Sequence, residues 1–178
     1  MSRLAKTKVK KDVCLNEIIS ITHRQQSLQK AGLILIMNKS LCYKMLGNNK
    51  EALIAIDEGL DLVRNRKNPK LSEKLLFRKG DVLLAMKEYN DSIRYFKKML
   101  AQRKKRILAM TGISKKAVDL ILSAESFNAF QKIALCHDHL GDKKKSVYWK
   151  NKAAEGEKAH AYIQQRRKNM VEKDDSPP

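Results

Sequence analysis

The stretch YKMLGNNKEALIAIDEGL, Tyr43 to Leu60, decides how the chain is read. An apolar run stops at Gly47-Asn48-Asn49, residues that tolerate the left-handed backbone conformation in which helices end. Glu-Ala-Leu follows, and apolar residues then return at helical spacing. The stretch predicts a helix, a tight turn and a second helix running back along the first.

Two further stretches align with it. Ile36–Leu60 reads IMNKSLCYKMLGNNKEALIAIDEGL, Leu76–Leu100 reads LFRKGDVLLAMKEYNDSIRYFKKML, and Phe127–Ala154 reads FNAFQKIALCHDHLGDKKKSVYWKNKAA. Gly47, Lys87 and Gly141 share the turn position. Ser40, Gly80 and Ala134 share a small position before the turn, and Ala52, Ser92 and Ser146 one after it. Antiparallel helices approach closely only where neither side chain is bulky, so paired small positions are what a recurring helix–turn–helix unit needs. A recurring unit of this kind is a solenoid. The first two turn positions are 40 residues apart and the next two 54, which leaves 14 extra residues before the third unit.

Reading outward, residues 1–11 form a basic arm and an amphipathic helix runs over 12–29. Helices are expected at 33–46, 50–66, 71–86, 90–106, 115–124 and 127–140, and a long terminal helix from 144 to about 171. Ser114 is a good N-cap for the fifth of these, and Gly156 is a weak point in the last. The three prolines are Pro69, Pro177 and Pro178, so no ring interrupts residues 70–176 and the chain reads as all-α. Residues 174–178 are expected to be a disordered tail. LILIM, Leu33 to Met37, is too short to span a bilayer, and residues 1–11 lack the apolar block of a signal peptide. Cys14, Cys42 and Cys136 are odd in number and widely spaced in apolar stretches, which suits buried, reduced thiols in a cytoplasmic protein, with the nucleus as the alternative.

The aligned units resemble the tetratricopeptide repeat (TPR) family. The resemblance rests on the facing small residues, the Gly-Asp/Asn turn, the Glu-Ala-Leu after it and the Pro that closes the first unit. It spans repeats at about 33–66, 71–106 and 127–155, with Lys87 in place of the turn glycine. It implies a right-handed α-solenoid of antiparallel helix pairs whose first helices line a concave groove. The groove residues would be Met37, Asn38, Leu41 and Met45, then Phe77, Arg78, Asp81 and Leu84, then Asn128, Gln131, Lys132 and Leu135. This mixture of apolar anchors and polar groups suits a peptide or helix of a protein partner. Chaperone-binding members hold a C-terminal carboxylate with Lys and Asn side chains in this groove. At the matching positions Met37, Leu41, Arg78 and Asn128 differ and Lys132 alone keeps its charge, so a standard clamp of that type is not expected.

Lys plus Arg is 38 against 19 for Asp plus Glu, a formal net charge of +19, which predicts attraction to polyanions. The run Arg103-Lys104-Lys105-Arg106 is the candidate basic patch, set against its alternative as a helix end whose cations complement the dipole. An acidic protein partner is the first expectation and RNA the second, although no aromatic platform accompanies the basic runs. Self-association, as one arm of a larger assembly, is a third. Cys136, His137 and Asp138 are consecutive and point in different directions on a helix, which leaves Cys136 and His139 as two metal ligands at most, fewer than a structural zinc needs. No phosphate loop, dinucleotide fingerprint, nucleophile elbow or zinc-protease motif occurs. The expectation is a non-catalytic interaction scaffold without metal or cofactor.

Overall fold

The structure, a computed structural model, describes residues 34–64, 68–110 and 112–174 together with Gly32, and side chains as far as Met170. The expected arm at 1–11, the expected helix at 12–29 with Cys14, and residues 175–178 lie outside the described residues. The described residues form six helices in order: α1 (34–45), α2 (Asn49–Arg64), α3 (Pro69–Ala85), α4 (Tyr89–Leu108), α5 (Lys115–His139) and α6 (Lys143–Asp174). The described residues form an all-α helical-repeat solenoid in which each helix from α2 onward packs on its chain neighbour, and α3 also meets α5. No helix among them is long and apolar enough to cross a membrane.

Three turns repeat one hydrogen-bonding pattern. The Gly47 N–H donates to Lys44 O at 3.0 Å and the Asn48 N–H to Tyr43 O at 2.9 Å. Lys87 and Glu88 donate to Leu84 and Leu83 in the same way, and Gly141 and Asp142 to Asp138 and His137. Each turn needs one residue at positive φ, and the values are 78° at Gly47, 65° at Lys87 and 74° at Gly141. Lys87 therefore holds the left-handed conformation that its glycine counterparts adopt without a Cβ.

The small positions lie where the pattern requires them. Ser40, Gly80, Ala134, Ala52, Ser92 and Ser146 are all buried. The Ser92 hydroxyl donates to the Gly80 carbonyl at 2.8 Å, and a Cβ at Gly80 would stand 2.9 Å from the ring of the fully buried Phe96. Two clusters form the core. One joins Met37, Ile56 and Leu75, and the other joins Phe96, Met99, Ile133 and Cys136.

The structure corrects several expectations. The separate helices at 115–124 and 127–140 are one helix, α5, because nothing between Ser123 and Phe127 stops a helix. Ser126 is buried there and receives the Arg103 guanidinium at 3.3 Å. The extra residues before the third unit thus lengthen a helix, and α6, 32 residues long, extends to pack against that length. Gly156 is a point of close approach of α5 and α6 and not a weak point, since a Cβ there would meet Ser123 O at 2.5 Å. Asn68 and Pro69 open α3: the Asn68 side chain accepts from Leu71 N–H at 3.2 Å and Pro69 takes the first helical position. Ser114 caps α5 by accepting from Ala117 N–H at 3.3 Å. Cys42 is exposed, whereas Cys136 is buried.

Candidate functional site

The first helices of the three units, α1, α3 and α5, are stitched together by charge. Asp81 on α3 is paired with Lys44 on α1 and, at 2.9 Å, with Lys132 on α5. Burial raises the Asp81 pKa, but the hydrogen bonds from Lys44 and Lys132 outweigh it and hold the carboxyl below its usual range. Arg78, one turn before Asp81, donates to the Met37 carbonyl and, at 3.3 Å, to the Ser40 hydroxyl. Both acceptors are neutral, and among the described residues no carboxylate lies within salt-bridge reach of Arg78. Burial lowers the pKa of this half-buried cation.

A cleft of about 360 Å³ opens beside this seam. Met37 and Phe77 supply its apolar lining, Lys74, Arg78 and Arg103 its cations, and Asn128 an amide. Phe77 packs on Phe96 with ring centroids 5.3 Å apart. Glu125 is the one carboxylate lining the cleft, and it accepts from Arg106 at 2.5 Å. Of the residues the sequence proposed, the structure brings Met37, Phe77, Arg78 and Asn128 into this cleft and ties Asp81 to Lys132 beside it. Met37 is mostly a core residue at 8% exposure. Asn38, Leu41 and Met45 are exposed on α1 outside the cleft. Gln131 and Leu135 line a different hollow, between α5 and α6.

The proposed basic patch divides. Lys104 and Lys105 are exposed. Arg103 and Arg106 turn inward to Glu73 on α3, a carboxylate only 2% exposed, at 3.0 and 2.7 Å. Arg106 also donates to Glu125, and its hydrogen bonds to Glu73 first and Glu125 second raise its pKa further. Half of the run is therefore an internal ion-pair cluster joining α3, α4 and α5. The signal for it lay in the spacing: Phe96, Met99, Arg103 and Arg106 recur at three and four, so both arginines continue the buried stripe of α4.

His137 is buried, with neither ring nitrogen hydrogen-bonded, and burial lowers its pKa against the opposing pull of Asp142. His139 stacks on Tyr89 with centroids 4.7 Å apart, and burial raises the pKa of Cys136. Among the described residues no three His, Cys, Asp or Glu side chains are grouped as metal ligands would be.

No family model matches the sequence, and no curated protein does. Among solved structures, the TPR domain of Arabidopsis FLU is similar, at 22% identity over 71% of this chain and 94% of that one, with a TM-score of 0.58. The fold is TPR-like. That likeness, the three turns of one hydrogen-bonding pattern and the buried small positions all point to the same architecture.

Proposed function

We propose that this protein is a non-catalytic interaction scaffold that holds an acidic segment of a protein partner against its first-helix face. The observation that carries the proposal is the cleft in which Phe77 offers an apolar anchor point beside Arg78, a guanidinium that meets no carboxylate among the described residues. A peptide carboxylate placed there would replace neutral acceptors with a charge-assisted pair. The neighbouring Lys74 and the net charge of +19 would speed encounter with an acidic partner. The setting is the cytoplasm, with the nucleus as the alternative, where Cys42 and Cys136 would remain reduced.

The experiment is affinity capture from lysate, divided and treated with or without nuclease, followed by calorimetry with the mapped partner peptide. The expected result is the same partners in both halves, and peptide affinity lowered about tenfold by Arg78→Gln with the helical circular dichroism unchanged. A catch that collapses with nuclease, or binding that falls about one log unit per log of salt for each contact, would make the protein a polyanion binder instead.

A further inference from the structure

Beyond that face, the long last hairpin carries a second groove. It lies between the N-terminal half of α5 and the C-terminal half of α6, and Met110, just after α4, also lines it. Its volume is about 490 Å³. One wall is the α5 stripe of Ala117, Leu120, Ile121 and Ala124, and the other carries Ile163 and Met170 of α6. Met110 is 49% exposed at one margin, Tyr162 52% and Met170 61% at the other. Large apolar side chains gathered in one groove and left open by the described residues mark an interaction surface. The groove shares one lining residue, Glu125, with the cleft beside Arg78.

The charge around the groove selects its occupant. Arg166 and Arg167 rise from the α6 wall, with the Arg166 guanidinium 5.8 Å from the centre of the Tyr162 ring. Glu125 is the one lining carboxylate, and Arg106 already neutralises it. The margin is thus cationic over an apolar floor. A second copy of this chain would bring the same arginines and another +19 against it, which disfavours self-association there. The α5 wall from Ala117 to Ala124 is about 10 Å long at helical rise, which matches two turns of a docked helix.

We infer that this groove binds an amphipathic helix of an acidic protein, its apolar residues at i, i+3, i+4 and i+7 on the floor and its carboxylates facing Arg166 and Arg167. The mode is helix-in-groove recognition, with the charges setting orientation and partner choice. It is independent of the proposed role of Arg78.

The test uses the full chain and three synthetic helical peptides. One has Leu at i, i+3, i+4 and i+7 with Glu elsewhere, one has the same Leu pattern with Lys elsewhere, and one is the acidic composition with its Leu positions scrambled. Fluorescence anisotropy should show saturable binding of the first alone, and hydrogen exchange should show it protecting 117–124 and 160–170. The double variant Arg166→Glu/Arg167→Glu, at exposed sites, should weaken binding at least about tenfold, while Arg78→Gln leaves it within about twofold. Equal binding of the scrambled peptide would reduce the effect to net charge, and equal binding of the Lys peptide would remove the arginines from the recognition. Either result overturns the proposal. So does protection confined to other segments, or a free chain that sediments as a dimer and is made monomeric by Leu120→Asp.

Discussion

Replacing Gly156 by alanine tests the packing of the last hairpin, because sequence and structure give opposite signs. Helix propensity alone favours alanine over glycine inside a helix by about 1 kcal/mol. The structure places the new methyl 2.5 Å from the Ser123 carbonyl oxygen and 2.9 Å from the Phe127 Cβ. An unstrained carbon–oxygen contact is about 3.3 Å or more, so the overlap is roughly 0.8 Å. Its nearest obstacle is backbone, which cannot swing away as a flexible side chain would, so α5 and α6 must move apart. Overpacking of this kind costs about 1–3 kcal/mol, and separation also loosens the buried Ala153 and Ala159 on α6. Set against the propensity gain, the expected net effect is a loss of up to about 2 kcal/mol, or a fall of up to roughly 8 °C in thermal midpoint for a chain of this size. Circular dichroism melts measure it, and hydrogen exchange should place the loosening in α5 and α6. Ala161→Gly, at an exposed site in the same helix, should lose about 1 kcal/mol through propensity alone. A Gly156→Ala protein that melts higher than the parent would show that the helices do not approach this closely.

Glu73→Ala should lower the urea unfolding free energy by about 3–5 kcal/mol, because it leaves two inward-facing arginines short of their principal carboxylate. Lys104→Glu/Lys105→Glu, between those two arginines in the sequence but exposed, should change it by less than about 0.5 kcal/mol. Because burial lowers the His137 pKa, the unfolded chain binds a proton that the folded chain resists. Stability should be full above the ordinary histidine value of 6.5 and decline as pH falls below it, and His137→Phe should flatten that limb of a midpoint-versus-pH curve. The Asp81 carboxyl, held below 3.8, contributes stability that is present above that value and disappears only as pH falls through its lower folded value, so Asp81→Asn should remove an acid limb distinct from that of His137. The same Asp81→Asn variant frees Lys44 and Lys132 and should strengthen capture of an acidic peptide on the first-helix face, read by calorimetry at two salt concentrations.

The turns and the small facing residues were legible because each has a local chemical requirement. A left-handed residue must follow a helix end, and a side chain between close helices must be short. Even the substitution of lysine for glycine at position 87 left the turn recognisable, since Leu84 and Leu83 still receive the two closing hydrogen bonds. The continuity of α5 was hidden by the repeat itself. Alignment suggests that a unit begins near Phe127, but residues 123–127 contain no helix stop, and absence of a stop is a weaker signal than a pattern. Glu73 was hidden for another reason. A glutamate beside Leu71 and Leu75 reads as surface until its partners, 30 and 33 residues away, are brought to it.

The candidate site divides along the same line. The family resemblance placed Phe77 and Arg78 among the groove residues, but which cations hold the frame and which face outward depends on long-range pairing. Arg103 and Arg106 are committed to Glu73, and Lys44 and Lys132 to Asp81. Among the described residues, Arg78 meets neutral acceptors alone, and the groove beside Arg166 and Arg167 has a single carboxylate that Arg106 already occupies. The formal charge of +19 is therefore not spread evenly over the molecule. Part of it cross-links the helices and holds the clefts rigid, and part is left over apolar floors where a counter-charge would be partly desolvated and its interaction strengthened. Diffuse surface lysines would attract any polyanion. Fixed guanidinium groups beside apolar anchors favour partners that present carboxylates and apolar side chains in one matching geometry.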